Sequence, residues 1–111
     1  MTTIAWRLGH IIVGCLAMRT AGHFGREAVD YSSFAYAATA AEALAQLDEE
    51  YARWLAGVES LGEERLWEPV GAAERGHEND PYLTLVLHIH RELIHHLAEI
   101  ALLRDLYAHQ G

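Results

Sequence analysis

PYLTLVLHIHRELIHHLAEIALLRDLY (residues 81–107) carries one helical stripe from end to end. Leu85, Ile89, Glu92, His96, Ile100, Leu103 and Tyr107 recur in steps of three or four, so a helix brings all of them to one side. Asp80 is placed to cap this helix and Pro81 to take its first position, where a missing N–H costs nothing. Most of the stripe suits an apolar core, but Glu92 and His96 do not. A buried carboxylate and a buried imidazole are costly unless paired or coordinated. They stand one helical turn apart, so both side chains reach the same object. Glu and His at this spacing suit a first-row divalent metal; they equally suit a hydrogen-bonded pair or a solvated strip. His88 extends the polar strip by one turn, and His95 and Glu99 flank it. His88, His90, His95 and His96 cannot share one face, so some of them are expected to be exposed.

Working back along the chain, two further helices are expected. Thr3 to about Arg19 is apolar nearly all round, which calls for burial on more than one side. Ile4, Leu8, Ile11 and Cys15 form one stripe; Trp6, His10, Val13 and Ala17 form another on a different face. Ala40 to Leu61 is amphipathic through Leu44, Leu47, Tyr51, Trp54, Val58 and Leu61. Thr39 can cap it, Glu42 can close a capping box, and Gly62 can end it. Between the helices lie a loop over 20–39, with Phe24, Tyr31, Phe34 and Tyr36 as aromatic anchors, and a charged connector over 63–80 that Trp67, Pro69 and Val70 are expected to tuck onto the bundle. No alternating strand pattern occurs. The fold class expected is all-α, in a single domain over 1–111.

Bulk properties exclude several functions. The chain has 111 residues, a formal net charge of −8 and no lysine. That charge argues against nucleic acid and against anionic membrane surfaces. A single cysteine cannot form an internal disulfide, and no signal peptide is legible, so a cytoplasmic setting is expected. Eight histidines in so short a chain is the unusual count, and it draws attention back to the metal question.

A metal held by Glu92 and His96 needs a third ligand. His10 is the best placed, mid-helix in a segment with almost no solvent side. Two ligands from one helix and one from another leave coordination positions open, as catalytic sites do. An isolated buried histidine is also readily a satisfied core residue. His23, His77 and His109 read as surface residues and Cys15 as packing.

IAWRLGHI (4–11) and LHIHRELIHHLAEIALLRDLY (87–107), with HFG at 23–25 between them, resemble the DinB-like superfamily, which includes mycothiol-dependent maleylpyruvate isomerase and bacterial thiol transferases. The resemblance covers most of the chain. It implies an antiparallel four-helix bundle with a divalent metal on His10, Glu92 and His96, and His88 as the substitute if the register of the pair differs. It leaves the metal open among zinc, nickel, iron and manganese. It implies a small-molecule substrate and chemistry with a low-molecular-weight thiol such as mycothiol; His88 and His95, by their proximity to the pair alone, are candidate proton relays. A metal-dependent hydrolase, and a non-catalytic metal-binding or stress-response protein, are the other readings. Members usually carry a helix before the first motif. Three long helices are therefore expected here, with the fourth missing or supplied by a partner, and the apolar first helix points to a homo-oligomer.

Overall fold

The computed structural model describes residues 4–108, the Tyr107 side chain excepted; the expectations for Thr3, Tyr107 and His109 lie outside the described residues. The chain forms three rods of helix. In the first, α1 (Ile4–Gly9), a π-wound stretch (His10–Ala17) and α2 (Met18–His23) follow without a break, because Gly9, Ala17 and Met18 all keep right-handed helical dihedrals. The second and third rods are α3 (Ala40–Arg65) and α4 (Tyr82–Ala108). Among the described residues there is no strand, only an isolated bridge between Pro69 and Pro81.

Side-chain contacts fix the directions. Arg7 meets Glu99 and His10 meets His96, so α4 runs antiparallel to the first rod. Leu83 N–H donates to Leu66 O and Trp54 Nε1 to His90, so α4 is antiparallel to α3 as well. The first rod and α3 therefore run the same way, which refines the simple antiparallel expectation. Residues 24–39 cross back to allow it, with Tyr36 against Gly9 at one end and Phe24 against Gly57 at the other.

The first rod is the centre of the core. Ile11, Ile12, Val13, Cys15, Leu16 and Ala17 are all at most 5% exposed, as all-round apolarity requires. Trp54 and Leu61 from α3, Val70 from the connector, and Leu85, Ile89 and Leu93 from α4 complete it. Each large side chain buried this way contributes roughly 1.5–3 kcal/mol. Leu93 was outside the expected stripe. By burying 85, 89 and 93, α4 turns the line through Glu92 and His96 to the edge of the core, half-buried. On α3, Leu44 and Tyr51 are exposed, contrary to the amphipathic reading. Even spacing shows which residues share a side, but not whether anything covers that side.

Thr39 caps α3 as expected, and the other termini depart from the reading in detail. Thr39 Oγ1 accepts from Glu42 N–H at 3.2 Å, while Glu42 Oε2 accepts from Ala38 N–H at 3.3 Å, one residue before a capping box would close. Gly62 breaks α3 with φ +65°, and a helical turn resumes to Arg65. At the start of α4, Pro81 takes the cap position, its carbonyl accepting from Thr84 N–H at 2.9 Å. Asp80 turns instead to His77 at 3.1 Å. Trp67 was expected to tuck onto the bundle and is 70% exposed; Val70 does the tucking. No described helix is long and apolar enough to cross a membrane.

Candidate metal centre

His10 and the pair on α4 are brought together. His10, Glu92 and His96 each offer a donor atom within 4.8 Å of the others, and all three residues are half-buried. His10 opens the π-wound stretch, and its ring meets that of His96 edge-on at 4.7 Å. Trp6, one turn earlier, stacks on His10 at 5.5 Å. His96 Nε2 stands 3.1 Å from Glu92 Oε2.

The second nitrogen of each imidazole is already engaged. His96 Nδ1 donates to Glu99 Oε1 at 2.8 Å, and Arg7 holds the other Glu99 oxygen at 2.9 Å. His10 Nδ1 meets the Tyr31 hydroxyl at 2.9 Å. Outer partners of this kind fix the tautomer and the ring orientation of metal-binding histidines. In the neutral ring, with the Nδ1 proton of His96 given to Glu99, the Nε2 lone pair faces a carboxylate oxygen, and a proton or a metal cation between them satisfies both. Burial, then the neighbouring His96, hold the His10 pKa below the usual imidazole value, against the opposing pull of Glu92. A neutral imidazole is the form that binds metal. The chemistry of the donor set therefore fits a divalent ion.

Local sequence explains the placement of these partners. Asp30 Oδ1 accepts from Ser32 and Ser33 N–H at 2.9 and 2.7 Å, a turn that presents Tyr31. Tyr36 OH braces the turn through Tyr31 O at 2.8 Å. A Cβ at Gly14 would collide with the Tyr31 hydroxyl, so glycine there opens the approach to His10. The π winding also changes the neighbourhood. Met18 N–H bonds back to Val13 O, five residues away. In an α-helix, residues five apart point about 140° from each other. Here Cys15, expected on a different face from His10, has its Sγ 3.8 Å from His10 Nε2. Burial, then Glu92, push the Cys15 thiol up to about 11, against Arg19. π-Winding of this kind occurs often at functional sites.

A second cluster, His95, His96 and Glu99, has donor atoms equally close. Its carboxylate is already neutralised by Arg7, so it reads as the support of the first cluster. The centre opens on a groove of about 1160 Å³, lined by His10, Cys15, Glu92, His88 and three arginines, Arg19, Arg75 and Arg91. The structure brings His88 to this groove but not to the cluster; its Nδ1 is 3.2 Å from Arg91 Nη2. His95 does not line the groove. It is exposed, and its Nε2 lies 3.3 Å from Glu99 Oε1. His90 accepts from Trp54 Nε1 at 3.4 Å. His77 is exposed as expected, but His23 is not: its side chain is 1% exposed and its Nε2 lies 2.8 Å from Glu74. Glu50, unremarked in the sequence, is buried at 3% and held by Arg26 and Arg53.

These features define an all-α bundle with an imidazole–carboxylate cluster at the mouth of a groove. The chain belongs to the DinB superfamily, whose family model matches residues 1–100. Comparison with curated proteins and with solved structures gives no match.

Proposed function

We propose that the chain is a metal-dependent enzyme that holds a divalent ion on His10, Glu92 and His96 and uses it in transfer or isomerisation with a low-molecular-weight thiol such as mycothiol. The observation that carries the reading is the convergence of the three donors within 4.8 Å of one another, beside a groove that His10 and Glu92 line, with the far nitrogen of each imidazole already engaged. Two imidazoles and one carboxylate suit zinc, nickel, iron or manganese. Such an ion supplies Lewis acidity, which makes a strong nucleophile of a thiol at neutral pH. The chain's own residues set the stage. Glu99 and Tyr31 orient the two rings, Arg7 fixes Glu99, and Leu85 and Ile89 give the groove an apolar wall.

The test begins with metal analysis of protein purified without a His tag. Metal near one equivalent per chain is expected, and its loss in Glu92→Ala and His96→Ala. The thiol reading expects consumption of an electrophile only when metal and mycothiol are both supplied. Turnover of an ester or amide without any thiol would assign the site to hydrolysis instead. Metal-free protein, with both variants no less competent to take up added metal than the wild type, would remove the enzymatic reading altogether.

A further inference from the structure

The groove carries a second feature that the metal reading leaves unused. The chain has eight arginines. Arg7, Arg19, Arg26, Arg53 and Arg65 are each paired with a carboxylate. Arg75 and Arg91 both line the groove, and neither meets a carboxylate among the described residues. The acidic groups that share the groove have partners of their own. Glu74 is held by Arg19 and His23 and Asp80 by His77 at 3.1 Å, while Glu92 is part of the candidate metal cluster.

His88 adds a directional donor. A guanidinium only donates, so the 3.2 Å contact from Arg91 Nη2 makes His88 Nδ1 the acceptor. The ring proton then sits on Nε2, and the imidazole is a neutral N–H donor with its lone pair spent. That role differs from both metal ligand and proton relay. Arg75, Arg91 and His88 thus bring donors and no free acceptor to one groove, in a chain whose net charge is −8.

We propose that Arg75, Arg91 and His88 form a subsite for an anionic group, a carboxylate or a phosphate, on the small molecule that the groove takes. This deepens the metal-centre reading and rests on it for one point: the reactive end of the molecule lies toward His10, Glu92 and His96, and its anionic end toward the arginines. Planar guanidinium forks suit both oxyanions. The volume of the groove suits a small molecule and its anionic tail.

The test is calorimetric titration of the full, tag-free chain, metal-loaded and metal-free, with glutarate, its neutral diamide and inorganic phosphate. Glutarate or phosphate is expected to bind saturably and more weakly as salt rises, and the diamide not to bind. The tighter of the two anions names the group. Arg75→Gln and Arg91→Gln are each expected to weaken anion binding roughly two- to fivefold, the range for exposed ion pairs. Arg65→Gln removes the same charge outside the groove and is expected to change nothing. Nitrogen NMR of the His88 ring is expected to show the proton on Nε2. Absence of saturable anion binding, equal binding of the diamide, or indifference to both groove substitutions would overturn the subsite. Metal content separates this failure from the other. Normal metal with no anion effect sinks the subsite alone, whereas anion binding through Arg75 and Arg91 by a chain that takes up no metal sinks the metal centre alone.

Discussion

Glu99 touches the proposed metal centre only through His96, yet much of the geometry depends on it. Its hydrogen bond from Arg7, aided by the His96 contact and opposed by desolvation, holds its carboxyl below the usual range, so it stays an acceptor for the His96 N–H. Glu99→Gln is expected to lower metal affinity about 10- to 100-fold, the usual loss for an outer partner. Chelator competition measures this, with His77→Ala, an exposed histidine paired with Asp80, expected to stay at the wild-type value. The other ring is held by Tyr31, and Gly14 makes room for it. Tyr31→Phe and Gly14→Ala break the same contact. Their effects on metal affinity are therefore expected to be strongly non-additive in the double variant; simple additivity would show that Gly14 acts elsewhere. At this scale Glu92 and His96 were legible because helical spacing turns sequence distance into a shared face. Tyr31 and Arg7 were not, because their contacts join residues 21 and 92 positions apart and no local pattern encodes them.

Between elements, Glu74 ties the connector to α2 by accepting from Arg19 and His23. Burial would raise its pKa, but the hydrogen bonds from Arg19 and His23 outweigh that and hold it below the ordinary value. A carboxyl whose folded pKa lies below its unfolded one contributes stability above the unfolded value of about 4.3, and loses it as pH falls through the folded value. Urea unfolding at pH 7 and at pH 4 is expected to show less stability at the lower pH. Glu74→Gln is expected to cost about 1–3 kcal/mol at pH 7, since it weakens the acceptor of a buried imidazole, and to lose less than the wild type between the two pH values. An unchanged pH dependence would remove Glu74 from the account. From sequence His23 reads as a surface residue because its neighbours form a loop; its partner, Glu74, comes from the connector. The helices themselves were readable from their periodicity. The π winding of residues 10–17 was not, since a pattern of threes and fours assumes α geometry, and Cys15 was placed on the wrong side of His10 for that reason.

For the whole molecule, the apolar surplus sits elsewhere than its composition implied. The all-round apolar first helix pointed to an intermolecular face, but its central residues are spent inside the chain. The uncovered apolar side belongs to α4, where Leu87, Ile94 and Leu102 are 62%, 72% and 59% exposed. Steps of seven and eight align them on one side of the helix, opposite Leu85, Ile89 and Leu93. Exposed apolar side chains aligned in this way are costly in water. A twofold pair of chains would cover it with no other surface, because an isologous interface needs only one self-complementary patch. Light scattering at micromolar concentration is therefore expected to give twice the chain mass. Ile94→Glu sets like charges against each other near the middle of that interface and is expected to give a monomer. Because Ile94 is mostly exposed, circular dichroism of that variant should retain the wild-type helix content, and its metal content should be unchanged. A clean wild-type monomer, or a variant that stays dimeric, would place the covering of α4 outside self-association and leave the metal centre untouched.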